Sequence, residues 1–170
     1  MKNTKLAVAI PTFERSEIVE ATIRSLIPEV KDYSIPIYIS DNSANNKTEI
    51  VFNDLKKQYE FIYYYKNRTD LGHDRNSFFV VNLPETDYVW LYGDSLLLKA
   101  GAIKNIFRII ENHNPGIIAV NAVHRDLDNE SRLYTDYNTV LDDLGWHLTL
   151  TGATIYSRSA LSDINKVEPH

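Results

Sequence analysis

Residues 87–103 decide the fold, and they read Asp-Tyr-Val-Trp-Leu-Tyr-Gly-Asp-Ser-Leu-Leu-Leu-Lys-Ala-Gly-Ala-Ile. The apolar and aromatic run Tyr88–Tyr92 predicts a buried strand. Gly93 breaks that strand and leaves Asp94 at its carboxyl tip, which is where open α/β sheets place their ligands. Taken alone, the Gly-Asp-Ser sequence fits a plain tight turn equally well. The helical spacing that follows predicts a helix whose inner face carries Ile103, Ile106, Phe107 and Ile110.

Three more buried strands precede this stretch, since short apolar runs occur at Leu6–Ile10, Pro36–Ser40 and Phe61–Tyr65. Apolar residues at helical spacing follow each run. The first predicted helix opens at Arg15 or Ser16 and ends near Pro28, and the second runs from a Thr48 cap to about Tyr59. The third runs from about Asp74 to Leu83, with Phe78, Phe79 and Val81 packed inward. This alternation predicts a doubly wound, mostly parallel central sheet with helices on both faces.

The C-terminal third has a less regular pattern, which predicts a small antiparallel hairpin beside the parallel sheet. The predicted elements are a strand at Ile117–Val123, a turn at Asp126, Asp128 and Asn129, a short helical turn at Val140–Leu144, and a strand at Trp146–Tyr156. Gly152 would form a bulge or a close backbone approach in the last strand. Ser157 or Ser159 would cap a final short helix.

Composition limits the class of protein. The chain has 170 residues, of which 44% are hydrophobic and 11% aromatic, as expected for one folded domain over residues 1–170. A net charge of −5 argues against nucleic acid as the main partner. The absence of cysteine excludes disulfides and thiolate metal sites. No apolar run is long enough to span a membrane and the N-terminus does not read as a signal peptide, so we expect a cytoplasmic protein.

Polar residues end every predicted parallel strand, namely Thr12, Asp41, the 67–74 loop and Asp94. Their convergence at one edge of the sheet predicts a binding site. The chain lacks a Gly-x-Gly-x-x-Gly motif, a Walker loop and a nucleophile elbow. Oxygen ligands without sulfur suit Mg²⁺ or Mn²⁺ bound together with substrate phosphates. Phe13 could stack a nucleobase, and Asp41 could accept hydrogen bonds from the base or ribose.

Four segments, in this order, resemble the family 2 glycosyltransferases with the GT-A fold. They are Val-Ala-Ile-Pro-Thr-Phe-Glu-Arg (8–15), Pro-Ile-Tyr-Ile-Ser-Asp-Asn-Ser (36–43), Asn-Arg-Thr-Asp-Leu-Gly-His-Asp-Arg-Asn (67–76) and Tyr-Val-Trp-Leu-Tyr-Gly-Asp (88–94). The resemblance covers residues 6 to about 110 clearly and 152–161 more loosely. It implies a Rossmann-like GT-A domain whose residues 1–112 bind the donor and whose residues 113–170 begin an acceptor-side half that is incomplete.

The resemblance also implies which residues form the donor site, because the family places a sugar nucleotide, often a UDP-sugar, across these strand tips. The matching residues are Pro11, Thr12, Phe13, Arg15, Asp41, Gly72, Arg75, Asn76 and Asp94. Phe13 would stack on the base, and Asp41 would contact the base or ribose. Asp94 matches the start of the acidic motif that holds the ribose and the metal.

Two departures from the family pattern affect the chemistry. Where the family often has Gly-Asp-Asp-Asp or Asp-x-Asp, this chain continues after Asp94 with Ser95 and Leu96, which should weaken Mn²⁺ or Mg²⁺ binding. The family's catalytic base usually lies beyond the strand that matches Gly152–Tyr156. We expect it beyond His170, because Glu168 is the only late candidate carboxylate in this short or truncated chain.

The function implied by the resemblance is sugar transfer from a nucleotide sugar, with inversion, to a saccharide or lipid-linked acceptor in surface polysaccharide or capsule assembly. The protein would lie in the cytoplasm or associate peripherally with the inner face of the membrane. The alternative is a catalytically silent nucleotide-sugar-binding or partner-binding module, favoured by Leu96 and the missing base. A nucleotidyltransferase is disfavoured, because no Gly-rich, Lys-containing phosphate loop follows the first strand.

Plainer interpretations of several residues remain open. Asp41 could cap a turn with Asn42 and Ser43, and Phe13 could be a core or staple residue. Arg75 and Asn76 also fit the first turn of a helix. The histidines, without paired metal spacing, are interpreted as surface or hydrogen-bonded structural residues: His73, His124 and His147.

Overall fold

The computed structural model describes residues 4–123, 125, 127 and 130–164. Its strands are β1 (Leu6–Thr12), β2 (Ile37–Asp41), β3 (Ile62–Lys66), β4 (Tyr88–Leu91), β5 (Ile117–Ala119) and β6 (Thr154–Ser157). Its α-helices are α1 (Ser16–Val30), α2 (Lys47–Gln58), α3 (His73–Asn82), α4 (Ala102–His113), α5 (Tyr137–Leu148) and α6 (Arg158–Ile164). No helix in these ranges is long and apolar enough to cross a bilayer.

All six strands form one sheet in the order β3-β2-β1-β4-β6-β5. Strands β1 to β4 are parallel, whereas β6 is antiparallel to both β4 and β5. The predicted mostly parallel α/β sheet with a small antiparallel part is therefore confirmed. In register, Asp41 lies between Thr12 of β1 and Lys66 of β3, so that the carboxyl tips of three strands meet at one edge.

The sheet is covered on both faces, which explains why the central strand β1 is buried at every position. On one face, alternate β1 residues such as Val8 pack in a cluster with apolar residues of α1, α2 and α4. On the other face, Ala7 and Ala9 pack with residues of α3 and α6. Small residues on this second face let α3 pack close to the strand tips.

Several predicted boundaries in the parallel part were wrong by one or two residues. β1 continues through Pro11 and Thr12, because both still pair with β2. Asn46, not Thr48, precedes the first residue of α2, and Thr48 is buried within the helix. In α3 the packed residues are Val80 and Val81, whereas the two phenylalanines predicted to pack inward, Phe78 and Phe79, are each 37% exposed.

The C-terminal third departs further from its pattern. The first three residues of the predicted Trp146–Tyr156 strand belong to α5, which ends at Leu148, and β6 starts only at Thr154. A sequence signal for α5 exists, since the Asp136 carboxylate accepts a hydrogen bond from Thr139 N at 2.9 Å and caps the helix. Ser157 Oγ accepts from Ala160 N at 3.1 Å, which confirms the cap of α6. The turn predicted at Asp126, Asp128 and Asn129 lies outside the described residues, as do His124 and Glu168.

Candidate functional site

Backbone hydrogen bonds join the carboxyl tips of the first three strands. Asn42 N donates to Thr12 O, and Asn67 N donates to Asp41 O, each at 3.0 Å. These bonds extend the parallel pairing by one residue past the strand ends. The loops that follow β1, β2 and β3 therefore start side by side, as the convergence of polar residues predicts.

Asp94 follows β4 and is buried at the same edge. Its Oδ2 accepts a hydrogen bond from Thr12 Oγ1 at 3.0 Å, and its Oδ1 accepts one from Arg15 Nη1 at 2.9 Å. Thr22 Oγ1 in α1 donates to the Asp94 carbonyl at 2.8 Å. Both carboxylate oxygens thus have partners within the chain, and Asp94 ties the exit of β4 to β1 and α1.

Asp41 is fully buried, at 0% exposure. Its Oδ1 accepts from Ser43 N at 2.9 Å and from Ser43 Oγ, and its Oδ2 accepts from Tyr64 OH at 2.8 Å and Lys66 Nζ at 3.2 Å. Burial, together with the hydrogen bond to Asp41, raises the pKa of Tyr64 above its usual value. This side chain holds the turn after β2, and its contact with a nucleotide stays a prediction.

Asn76, in the first turn of α3, is the buried polar centre of the loops. Its Oδ1 accepts from Ser40 Oγ at 2.6 Å and from Asn67 Nδ2 at 3.0 Å, and its Nδ2 donates to Ser40 O at 3.2 Å. It also donates to Thr12 O at 3.4 Å. A first-turn helix residue thereby fixes the position of α3 against β1 and β2.

The loop before α3 is held by side chains that we did not single out from the sequence. Asn42 Nδ2 donates to Asp70 Oδ1 at 2.8 Å, and Asn67 Nδ2 donates to Asn42 Oδ1 at 2.6 Å. Gly72 N donates to the same Asp70 oxygen at 2.8 Å, and Gly72 adopts φ +76°, which favours glycine. The polarity of 67–74 was a signal for a loop, but the pairing within it depends on tertiary contacts.

The exposed groups at this edge differ from the buried network. Phe13 is 51% exposed, so it is not a core residue, while its neighbour Pro11 is buried in β1. The Arg15 side chain is 45% exposed. Arg75 is exposed and makes no side-chain hydrogen bond or ion pair with the other described residues. An aromatic face and guanidinium groups suit a ligand with a flat ring and negative charge.

The loop that carries Phe13 and Arg15 is fixed by Glu14, which sequence reasoning missed. Glu14 adopts φ +53°, and its N–H donates to Ser43 Oγ at 2.8 Å. Its carboxylate accepts from Ala44 N at 2.9 Å and from Asn45 Nδ2. Beside this loop lies a cleft of about 270 Å³, which the Arg15 side chain helps to line.

A larger cleft of about 430 Å³ lies at the opposite edge of the sheet, where Lys5, Asp87 and Arg158 contribute to its lining. It faces the amino ends of the parallel strands. Open α/β sheets bind ligands at the carboxyl ends, where Thr12, Asp94 and the polar loops converge. We therefore assign the candidate site to the smaller cleft and the strand tips.

The acidic motif does not fit a divalent cation site. Both oxygens of Asp94 are engaged by Thr12 and Arg15, and Ser95 is exposed but uncharged. Leu96 packs so closely on Gly152 that a Cβ there would lie 2.0 Å from its Cδ1. No group of three or more His, Asp or Glu side chains that could hold a metal occurs in the described part of the chain.

Neither His73 nor His147 belongs to a group of metal-binding side chains among the described residues. His73 is exposed at the start of α3. His147 is buried in α5, and its Nε2 lies 2.7 Å from Val120 O, which attaches the helix to the segment after β5. His147 is thus hydrogen-bonded structurally, as interpreted from the sequence.

Comparison with known proteins decides the family. The family model described as "Glycosyl transferase family 2" matches residues 7–164. The chain belongs to glycosyl transferase family 2. It is also 36% identical over 97 residues to abequosyltransferase RfbV of Salmonella typhimurium, an alignment that covers 55% of this chain and 29% of that protein. The chain thus matches less than a third of this relative's length.

Solved structures share the fold of this family 2 member. S. aureus TarS 1–349 superposes with a TM-score of 0.75 at 16% identity, covering 97% of this chain and 50% of TarS 1–349. The mannosyltransferase PcManGT from Pyrobaculum calidifontis, in complex with GDP-Man and Mn²⁺, has a TM-score of 0.71 at 11% identity, covering 96% and 47%. At such identities the likeness establishes the GT-A fold alone.

Proposed function

We propose that this chain forms the donor-binding part of a glycosyltransferase that uses a nucleotide sugar, with a UDP-sugar as the expected donor. The observation that carries the proposal is the placement of exposed Phe13, Arg15 and Arg75 around the buried network at the carboxyl edge. Membership of family 2 supports it. So does the solved complex of TarS 1–349 with UDP-GlcNAc, which shares the fold at 15% identity.

In the proposed complex, the exposed groups bind and the buried groups hold them in place. The Phe13 ring stacks on the base, a contact worth about 1–3 kcal/mol. The guanidinium groups of Arg15 and Arg75 pair with the diphosphate oxygens. The hydrogen bonds of Asp41, Asn76 and Asp94 keep the loops rigid, so binding costs little ordering entropy.

The proposed reaction is displacement at the anomeric carbon. An acceptor hydroxyl oxygen bonds to that carbon, the bond to the phosphate oxygen breaks, and the nucleoside diphosphate leaves with the bonding electrons. Positive side chains at the diphosphate stabilise the charge that develops on it. A general base must take the acceptor proton, and we assign that role to no described residue.

The acceptor and the biological setting rest on resemblance. We propose a saccharide or lipid-linked acceptor in surface polysaccharide assembly, in line with the name of the abequosyltransferase relative. We propose a cytoplasmic location or peripheral association with the inner face of the membrane. Addition of membrane-derived lipid-linked saccharides should then stimulate release of UDP more than free monosaccharides do.

A second candidate function is a nucleotide-sugar-binding module without catalysis. It is favoured by Leu96, whose side chain packs on Gly152 in the acidic motif, and by the Asp94 oxygens, which are both engaged. Both functions predict donor binding. Only the enzyme predicts that UDP is released from a UDP-sugar when an acceptor pool is added.

Titration calorimetry of UDP and GDP, followed by a panel of UDP-sugars, tests the proposal. We expect micromolar binding of UDP and at least a tenfold loss in Phe13→Ala, because stacking is removed. Phe79→Ala is the matched control, since Phe79 is a partly exposed aromatic residue in α3. Its ring lies edge-on to that of Tyr65, with 6.4 Å between the ring centroids. Absence of binding by every nucleotide would refute the donor-site proposal.

A further inference from the structure

The acidic motif of this chain contains an ion pair in place of a cluster of carboxylates. Arg15 Nη1 lies 2.9 Å from Asp94 Oδ1. We infer that Arg15 binds the donor diphosphate directly, without a divalent cation, and that Asp94 is a positioning residue that orients Arg15. This inference rests on the proposed function and deepens it, because it gives the guanidinium the role of the metal and gives Asp94 a positioning role.

Asp94 is held by hydrogen bonds from three side chains of β1 and α1 and the loop between them. Thr12 and Arg15 each occupy one carboxylate oxygen, and Thr22 holds the Asp94 carbonyl. The carboxylate is therefore fixed in position from β1 and α1. A cation that used Asp94 would lie beside the Arg15 guanidinium and compete with it for the charge of the carboxylate.

Ser95 and Leu96, the two residues after Asp94, are poor ligands for a divalent cation. Hard divalent cations depend on charged oxygen donors. Ser95 supplies only a hydroxyl, and Leu96 supplies no oxygen. The Leu96 side chain lies against the bare Cα atoms of Gly93 and Gly152. The two residues after Asp94 thus supply no second acidic ligand.

Arg15 retains N–H donors that Asp94 does not use. A guanidinium has five N–H donors, and Asp94 accepts from one nitrogen, Nη1. The side chain is 45% exposed at the cleft beside the Glu14 loop. A guanidinium held at one corner by a carboxylate presents its other N–H groups in a fixed plane, which matches the oxygens of a phosphate.

The net charge at the acidic motif differs between a guanidinium and a divalent cation. Arg15 and Asp94 sum to zero, whereas a divalent cation on one carboxylate would leave a charge of +1. We therefore assign a supporting role to Arg75, which is exposed and adjacent to Asn76, the residue hydrogen-bonded to Thr12 O. Binding through two guanidinium groups predicts a strong dependence on salt concentration and none on added metal.

The test compares UDP with uridine on the full chain, each measured by calorimetry in EDTA and in Mn²⁺. Wild type should bind UDP equally well in both conditions. Arg15→Gln should weaken UDP binding about tenfold, as expected for a lost charge-assisted hydrogen bond, and leave uridine binding unchanged. Arg15→Lys should restore part of the loss. Arg24→Gln is the matched control, because Arg24 lies farther along α1 and forms ion pairs with Glu20 of α1 and Asp54 of α2.

A second variant separates positioning from metal binding. Asp94→Asn keeps the shape and one acceptor oxygen, which can still face Arg15 while the amide NH2 donates to the Thr12 hydroxyl, so in EDTA it should weaken UDP binding less than Arg15→Gln does. In the Arg15→Gln background it should have no further effect. Thermal melting of each variant verifies folding before binding is compared.

Two outcomes would overturn the inference, and they are distinguishable. If Mn²⁺ strengthened UDP binding at least tenfold, and Asp94→Asn but not Arg15→Gln removed that gain, a metal site would replace the guanidinium and the proposed function would stand. If neither UDP nor GDP bound in EDTA or Mn²⁺, the proposed function would fail, and this inference with it.

Discussion

The two parts of the chain, residues 4–112 and the described residues from 113 to 164, differ in the side chains that they bury and expose. In the first part, buried side chains such as Asp41, Asn76 and Asp94 pair with one another at the strand tips. In the second part, large apolar side chains face solvent, and Trp146 is 76% exposed. The hydrogen-bonded polar network of the candidate site is therefore built at the tips of the parallel strands.

The two parts meet where β6 pairs with β4. Trp90 Nε1 donates to Gly152 O at 2.8 Å, and Leu96 packs on the Cα of Gly152. Gly152 adopts φ +105°, a conformation that other residues rarely take. A glycine from the second part thus completes the packing beneath the acidic motif of the first.

The largest expected effect comes from removing a buried carboxylate of the first part. Asp41→Ala removes the acceptor of the Tyr64 hydroxyl and the charged partner of Lys66, and it should lower the free energy of unfolding by about 3 kcal/mol. Its counterpart in the second part is Asp143, which accepts from Tyr134 OH at the surface. Asp143→Ala should change stability by no more than about 0.5 kcal/mol. Urea unfolding measures both, and equal losses would refute the contrast.

The next largest loss of stability is expected at Gly152, where the two parts meet. Gly152→Ala should cost about 2 kcal/mol, because the new Cβ displaces Leu96 and the backbone remains at positive φ. The Gly152→Ala/Leu96→Ala pair should cost less than the sum of the single losses, because the contact is removed only once. Strict additivity in a double-mutant cycle by urea unfolding would show that the two residues do not interact.

The dependence of folding stability on alkaline pH should also come mainly from residues 4–112. Burial raises the pKa of Tyr92 to about 12, and the pKa of Tyr64 is also raised. A neutral tyrosine with a raised folded-state pKa keeps its full contribution below pH 10 and loses it as pH rises further. We expect stability to be level from pH 7 to 9 and to fall by about 1 kcal/mol per buried tyrosine near pH 11.

Tyr92→Phe is the control for that loss. Its hydroxyl is buried and has no hydrogen-bond partner among the described residues. The phenylalanine should therefore be neutral or slightly stabilising at pH 7 and should flatten the fall above pH 10. An unchanged alkaline slope in Tyr92→Phe would assign the fall to other groups.

The smallest effect is expected on the exposed face of α5. Leu141→Lys places a charge on a side chain that already faces solvent, so stability should change within about 0.5 kcal/mol. Leu55→Ala in α2, at a fully buried position, should cost about 2–5 kcal/mol. A loss in Leu141→Lys as large as that in Leu55→Ala would show that α5 buries this face in solution.

The sequence predicted most where burial leaves a clear periodic signal. The four parallel strands and their polar tips were predicted because central strands read as continuous apolar runs. α5 was predicted too short, since Trp146 to Leu150 alternates like a strand and the Asp136 cap was overlooked. Ser157 was predicted correctly as a cap because its signal is local.

The geometry of the site could be predicted only in part. Asp94 and Arg15 were each proposed for the site by resemblance, but they are 79 positions apart, and no pattern linked them as a pair. Similarly, the burial of Asp41 depends on Tyr64 and Lys66 in the neighbouring strand. Partners of this kind depend on the register of the sheet, which single-sequence periodicity does not specify.

A titration of isotope-labelled protein with UDP, followed through the backbone amide chemical shifts, would locate the donor site residue by residue. We predict that the largest changes occur at residues 12–15, 41–43 and 67–76 and in the 93–96 turn. The cleft lined by Lys5 and Arg158, and helix α5, should stay unchanged. Changes confined to that cleft or to α5, or no changes at all, would contradict a donor site built by the tips of the parallel strands.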